Sequence, residues 1–439
     1  MRGAAAAATV TRVAQRVVTP SAATPSGQLP LSWLDRYPTQ RALIESLHVF
    51  KGRADAAESP AAAIERAIAK ALVSYYPIAG RLAESDDGEL VVNCTGEGVW
   101  FIEATASVSL EEVDYLEYPL MVAKDDLLPH PTYPISDHHP EDSLILLVQV
   151  TQFACGGFVV GFRFSHAVAD GPGAAQFMTA VGELARDAAA TSPSLPPAWG
   201  RDVIPRPPVA AVGPLPIPTE LRLQYLAMDI STDYIDHFKS RFLSHSGGHR
   251  CSAFEVLIAK TWQARTRAAG FSPESPIHVC FAMNARPVLG RAGGGAAAAL
   301  PAGFYGNCYY IMRVTASAGE VADASVYDVV RLIREGKKRL PADFARWSSG
   351  EAGARGEDPY RITSDYRTLL VSDWSRLGFA EVDYGWGNPV HVVPLTNLDY
   401  IATCILVRPS AHKPGARLIT QCVAADGVDA FHKEMMRLD

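Results

Sequence analysis

The 439-residue chain has little that would tie it to disulfide, zinc or membrane chemistry. Seven cysteines stand singly, at Cys94, Cys155, Cys251, Cys280, Cys308, Cys404 and Cys422, an odd count with no Cys-x-x-Cys pair. That usage excludes a disulfide framework and a paired-cysteine zinc site, and it fits a reducing compartment in which most thiols pack as small apolar groups. An excess of positive charge is missing too: 40 Lys and Arg against 47 Asp and Glu leave a formal net charge of -7 and a pI near 6.0. Such a chain has no general attraction to nucleic acid or anionic membrane, so an anionic ligand has to be met by a local group of cations or N–H donors. No apolar run approaches the ~20 residues that span a bilayer. The Gly-x-Ser-x-Gly elbow of serine hydrolases does not occur.

What is present is a balanced composition, 48% hydrophobic and 20% charged, enough apolar material for two domains. Strand-like runs at 43–50, 90–94, 99–103, 144–150 and 155–164 are interleaved with helical spacing at 61–73 and 172–190. Proline and alanine dominate 191–218, a stretch that can form neither helix nor central strand and predicts a stiff crossover. Beyond it, strands are expected at 221–230, 277–283, in the run up to 314, and at 369–374, 401–407 and 418–423. Helices are expected near 232–242, 253–267 and 326–340, with a short one at the C-terminus. Ser252 and Glu255 form a capping box for the second of these, and the glycine-alanine stretch 290–302 reads as a surface loop. The mixture specifies an α/β, or mixed α+β, fold. Its divisions are a domain over 1–195, a crossover over 196–220 and a domain over 221–439.

The N-terminal alanine run is short and soon interrupted by Arg12 and Arg16, which argues against a secretory signal. No acidic residue precedes Asp35, so an organellar transit peptide is the alternative to an edge strand over Thr9–Val18 closed by Pro20. We read it as the strand, and the protein as cytoplasmic.

The stretch with the most chemistry is Ser165-His166-Ala167-Val168-Ala169-Asp170-Gly171, which follows the apolar run 158–164 and precedes a helical pattern from Pro172. A histidine at the end of a strand can be held rigidly toward a cavity, and its ordinary pKa near ~6.5 suits it to take and return a proton. Spacing alone does not single it out, because His138 and Asp142 repeat it in a polar, proline-flanked loop. Gly171 and Pro172 suit a tight reversal into a first helical turn. The other reading of His166 is a hydrogen-bonded core histidine.

Five motifs occur together: Ser165-His166-x-x-x-Asp170-Gly171, Asn284-x-Arg286-Pro287, Tyr305-Gly306-Asn307, Ser372-Asp373-Trp374 and Asp383-Tyr384-Gly385-Trp386-Gly387. With Leu31-Ser32 and Tyr76-Pro77-Ile78-Ala79-Gly80-Arg81, their order and spacing resemble the plant BAHD acyltransferases along nearly the whole chain. Tyr384 departs from the phenylalanine usual there, keeping an aromatic ring. Within that family, Asp343-Phe344-Ala345-Arg346-Trp347 and the wording around Trp374 and Asp383 most resemble grass hydroxycinnamoyl-CoA:monolignol transferases. The resemblance implies two chloramphenicol-acetyltransferase-like domains with a tunnel at their interface. It implies acyl-CoA as co-substrate, a small aromatic alcohol as acceptor, and neither a metal, a tightly bound cofactor nor an acyl-enzyme. We expect a monomer. Another acyl-CoA or acceptor, or a non-catalytic protein of the same fold, are the competing readings.

On this resemblance His166 is the general base, and Trp374, whose indole N–H donates without ionising, serves the oxyanion; a core tryptophan is its alternative. Asp170 reads either as the partner of His166 in a dyad or, as the family implies, as the partner of Arg286 in a brace. Asp383 reads as a turn residue rather than a second acid, since its glycines and aromatics suit a tight turn. Ser32 and Ser372 are expected to touch substrate. For the phosphates of CoA, Ser252 at a helix start is the first candidate and Lys260 the second, a solvated helix lysine being the alternative for the latter.

Overall fold

The computed structural model describes residues 8–131, 143–206, 222–289, 300–350, 358–361, 366–395 and 401–438. In chain order its strands are β1 (Val10–Val18), β2 (Gly27–Pro30), β3 (Leu43–Phe50), β4 (Arg81–Glu84), β5 (Leu90–Cys94), β6 (Val99–Ala106), β7 (Leu146–Gln152) and β8 (Phe158–Ser165). Then come β9 (Leu223–Ile230), β10 (Pro276–Asn284), β11 (Tyr309–Ser317), β12 (Thr368–Asp373), β13 (His391–Pro394), β14 (Ala402–Val407) and β15 (Ala416–Ala424). The helices are α1 (Pro60–Ser74), α2 (Lys124–Leu127), α3 (Gly171–Arg186), α4 (Thr232–His245) and α5 (Ala253–Ala269). They continue with α6 (Arg286–Leu289), α7 (Ala318–Asp323), α8 (Val326–Lys338), α9 (Leu340–Ser348) and α10 (Val428–Met436).

Local chemistry accounts for many of these boundaries. Ser59 caps α1 by accepting from the N–H of Ala62, Pro60 occupies its first turn, and Ile64, Ile68 and Leu72 form the buried stripe. The capping box expected of Ser252 and Glu255 opens α5, whose side chains from Glu255 to Thr266 are all buried. The helix expected over 326–340 is α8, and a second helix, α9, follows it directly, Pro341 in its first turn suiting a new start rather than continuation.

Two six-stranded sheets result, one ordered β1-β6-β7-β8-β3-β13 and the other β11-β10-β12-β14-β15-β9, with β2-β5-β4 forming a small third. β1 lies at the edge of the first sheet, as its sequence suggested. β13 was not foreseen. It comes from the C-terminal half, yet it pairs antiparallel with β3, His391 opposite Val49 and Pro394 opposite Ser46. The exchange extends to the core: Tyr305, Phe379, Val382 and Tyr384 pack with Phe50, Phe101 and Phe158 of the first half. Most of the proline-rich crossover, most of the loop 290–302 and the His138/Asp142 repeat lie outside the described residues. Among the described residues no helix is long and apolar enough to cross a membrane.

Candidate active site

A cavity of about 250 Å³ opens between the two large sheets. Ile44 and Phe164 line it from one side, Leu370, Ser372 and Thr403 from the other, and His166 stands on its wall. His166 directly follows β8. Its N–H donates to Ala42 O at 3.1 Å and its carbonyl accepts from Asn307 Nδ2 at 2.6 Å, so the main chain is held from both flanks. The ring is half-buried. Its Nδ1 is sealed from solvent without a hydrogen-bond partner, which leaves Nε2 as the nitrogen for chemistry in the cavity. Burial pushes the pKa below 6.5, outweighing the opposite pull of its own main chain and of the Asp170 charge. The imidazole is therefore neutral, and able to accept a proton, at neutral pH.

Asp170 does not reach that imidazole. It is the N-cap of α3, and Oδ1 accepts from the N–H of Gly173 at 3.0 Å. Arg286 donates to both carboxylate oxygens at 2.8 Å, and the N–H of Cys308 adds a fourth bond at 3.0 Å. Four donors fill the carboxylate, and the pair is a two-pronged one of the strong kind. Arg286 also donates to Gly306 O at 2.8 Å. The α3 start thus sits against the 304–308 segment so closely that a Cβ on Gly173 would meet Tyr305 O at 1.9 Å. Gly171 has a different use from the one its position suggested: it needs no left-handed backbone but makes room for the Leu377 side chain, 2.5 Å from where its Cβ would be.

A second support went unrecognised in the sequence. Buried Asp35 accepts from Asn307 Nδ2 at 2.8 Å and from Arg201 Nε at 3.3 Å. Arg201, stacked 3.5 Å from the centroid of the Trp199 ring, also donates to the carbonyl of Val168 in the histidine loop. The one readable signal was the single aspartate in the mixed apolar and polar segment 31–37.

Trp374 follows β12 and lines the cavity, its main-chain N–H bonded to Leu406 O at 2.8 Å. Its ring rests against Phe379 at 5.3 Å, and no group among the described residues accepts from its indole N–H. Ser372 lines the cavity beside it.

Four other expected residues lie elsewhere. Ser32 is buried and turned into its own loop, where its hydroxyl oxygen accepts from the N–H of Asp35 at 3.2 Å; it does not line the cavity, so its expected substrate contact is corrected. Lys260 is corrected as well, being neither a cavity cation nor a solvated one. It is 1% exposed, and its ammonium donates to the carbonyls of Glu434 and Arg437 at the end of α10, at 3.0 and 2.8 Å. Ser252 is spent on its capping box, away from the cavity lining, with its hydroxyl oxygen accepting from the N–H of Glu255 at 3.2 Å. Asp383 closes a turn: Oδ1 accepts from the N–H groups of Gly385 and Gly387 at 2.7 and 2.9 Å, and both glycines have positive φ.

The neutral His166 and Trp374 line one cavity between the two large sheets, and the paired sheets are those of a two-domain chloramphenicol-acetyltransferase-like fold. Vinorine synthase superposes with a TM-score of 0.72 at 20% identity, covering 96% of both chains. TRI101 of F. sporotrichioides, complexed with coenzyme A and T-2, gives 0.68 at 15% identity over 93% of this chain and 97% of that one. Residues 8–438 match the Transferase family. Acyl transferase 7 of Oryza sativa subsp. japonica is 66% identical over the whole of both chains. Myricetin 3-O-glucosyl 1,2-rhamnoside 6'-O-caffeoyltransferase AT2 of Crocosmia x crocosmiiflora is 40% identical over 97% of this chain and 98% of its own. The chain belongs to the Transferase family of BAHD acyltransferases, and it is an acyl-CoA-dependent O-acyltransferase.

Proposed function

We propose that the protein transfers a hydroxycinnamoyl group, p-coumaroyl or feruloyl, from CoA to the hydroxyl of a monolignol. The observation that carries the chemistry is the neutral His166 ring on a cavity shared by both halves of the chain. A relative named for caffeoyl transfer supports the acyl class, and the aromatic lining from Phe164, Tyr309, Tyr360 and Trp374 suits planar substrates.

In this reading His166 Nε2 accepts the alcohol proton as the oxygen attacks the thioester carbonyl, a step that general base catalysis speeds ~10²–10⁴-fold. The carbonyl oxygen takes the negative charge and accepts from the Trp374 indole N–H, a donor worth ~10²–10³ in rate. Collapse breaks the C–S bond, and the imidazolium returns its proton to the leaving thiolate, giving ester and free CoA. Asp170 and Arg286 keep the histidine loop in place, Asp383 shapes its own turn, and Ser372 flanks the substrate. Ser252 remains the proposed phosphate contact through the first turn of α5. Six of the seven free cysteines are buried, in keeping with a cytoplasmic enzyme that we take to act as a monomer. The test is incubation with p-coumaroyl-, feruloyl- and acetyl-CoA against coniferyl and sinapyl alcohols, with products ranked by mass. A hydroxycinnamate ester as main product is expected; acetyl esters alone would overturn the acyl assignment.

A further inference from the structure

Two cavity-lining side chains among the described residues carry a buried polar atom without a partner. One is His166 at Nδ1, and the other is Gln40 at Oε1. Gln40 is 5% exposed. Its amide is turned by Nε2, which donates to the Tyr309 hydroxyl and, at 3.4 Å, to Thr39 Oγ1. The Tyr309 ring in turn stands edge-on to His166 with centroids 6.1 Å apart. One tyrosine ring therefore separates this amide from the base. An acceptor left unpaired in a closed site costs about 1–3 kcal/mol. Buried polar atoms are ordinarily satisfied, and an exception on a reaction cavity points to a group that arrives with the substrate.

We propose that Gln40 is a specificity-determining residue that reads a hydroxyl on the aromatic substrate, a ring's length from the reacting group. A hydroxyl both donates and accepts, so it completes the amide whichever way that is turned. A hydrogen in its place leaves the amide unsatisfied, the circumstance in which a polar site rejects an analogue most strongly. The group that Gln40 reads is a phenolic hydroxyl, carried by the acyl chain or by the acceptor. This inference rests on the proposed hydroxycinnamoyl transfer.

The experiment has two arms. In one, p-coumaroyl-CoA is compared with cinnamoyl-CoA at a fixed alcohol; in the other, p-coumaryl alcohol is compared with cinnamyl alcohol at fixed p-coumaroyl-CoA. The parent is expected to prefer the hydroxylated member by about 10- to 100-fold in kcat/KM in one arm. Gln40→Leu should bring that ratio toward one, through a higher KM for the hydroxylated member. The arm in which it does so identifies the substrate being read. A merely structural loss would slow both members alike and leave the ratio standing. A ratio unchanged in both arms, or a parent that discriminates in neither, overturns the proposal. If Gln40→Leu does not fold by circular dichroism, Gln40→Asn, which withdraws the amide by one methylene, is read in the same way. Absence of product from every combination would overturn the hydroxycinnamoyl reading itself, and this inference with it.

Discussion

At His166 three influences meet, and burial wins. The ring lies close enough to Asp170 for the carboxylate to favour protonation, yet removal from water lowers its pKa all the same. The rate should therefore stay level as pH falls to about 6.5 and decline only further into acid, where the imidazole takes its proton from solvent instead of from substrate. A pH profile of kcat/KM measures this, and a decline centred well above 6.5 would remove the assignment. His166→Ala should lower turnover by ~10²–10⁴ with CoA affinity, measured by calorimetry, nearly intact. Asp170→Asn behaves differently. With Arg286 bonded to both oxygens and the carboxylate 5% exposed, loss of its charge strands a guanidinium that is largely out of water. We expect a stability loss of about 3 kcal/mol, seen as a lowered melting temperature alongside the lowered rate; a dyad partner would lose rate alone.

Among the elements, β3 carries a titration that the sequence did not announce. His48 is wholly buried, its ring edge-on to Phe162 and Phe379, with Nε2 3.1 Å from Ser46 Oγ. Burial pushes its pKa down to about 3. Because the folded value lies below the unfolded one, its contribution is fully present above pH ~6.5 and is lost as pH falls toward 3. Between pH 6.5 and 5 that amounts to about 2 kcal/mol. The stability lost between the two pH values, measured by denaturant unfolding, should be greater for the parent than for His48→Leu by that amount; equal losses would mean that the ring is hydrated in the folded state. Element limits such as those of β3, β5 and α5 were legible because alternation, helical spacing and capping residues are local properties. The four-residue strand β13, ending in Pro394, carries too little pattern to be read, and its strand character comes from the open edge of β3.

For the whole molecule, that strand makes the two halves interdependent. A fragment ending at residue 220 would lack β13 and the Tyr305, Phe379 and Tyr384 side chains that complete its core. An unpaired edge beside a depleted core favours association with other chains. We expect such a fragment to elute as aggregate in size-exclusion chromatography, and a monodisperse, cooperatively melting fragment would refute the interdependence. By itself, the amino-acid sequence determined the strand-ended histidine, the helix caps, the mixed fold and, through its motifs, acyl transfer as the chemistry. Only the tertiary structure decided that Asp170 is filled by four donors, that Lys260 faces carbonyls at the end of α10, that Ser32 turns inward and that Gln40 holds an unpaired oxygen at the cavity. Those pairings join residues 116 positions apart for Arg286 and Asp170, 174 for Lys260 and Glu434, and 269 for Gln40 and Tyr309. Periodicity and capping report only what neighbouring residues do to one another. Where a polar side chain finds its partner, or fails to, depends on which distant segments the packed sheets bring against it.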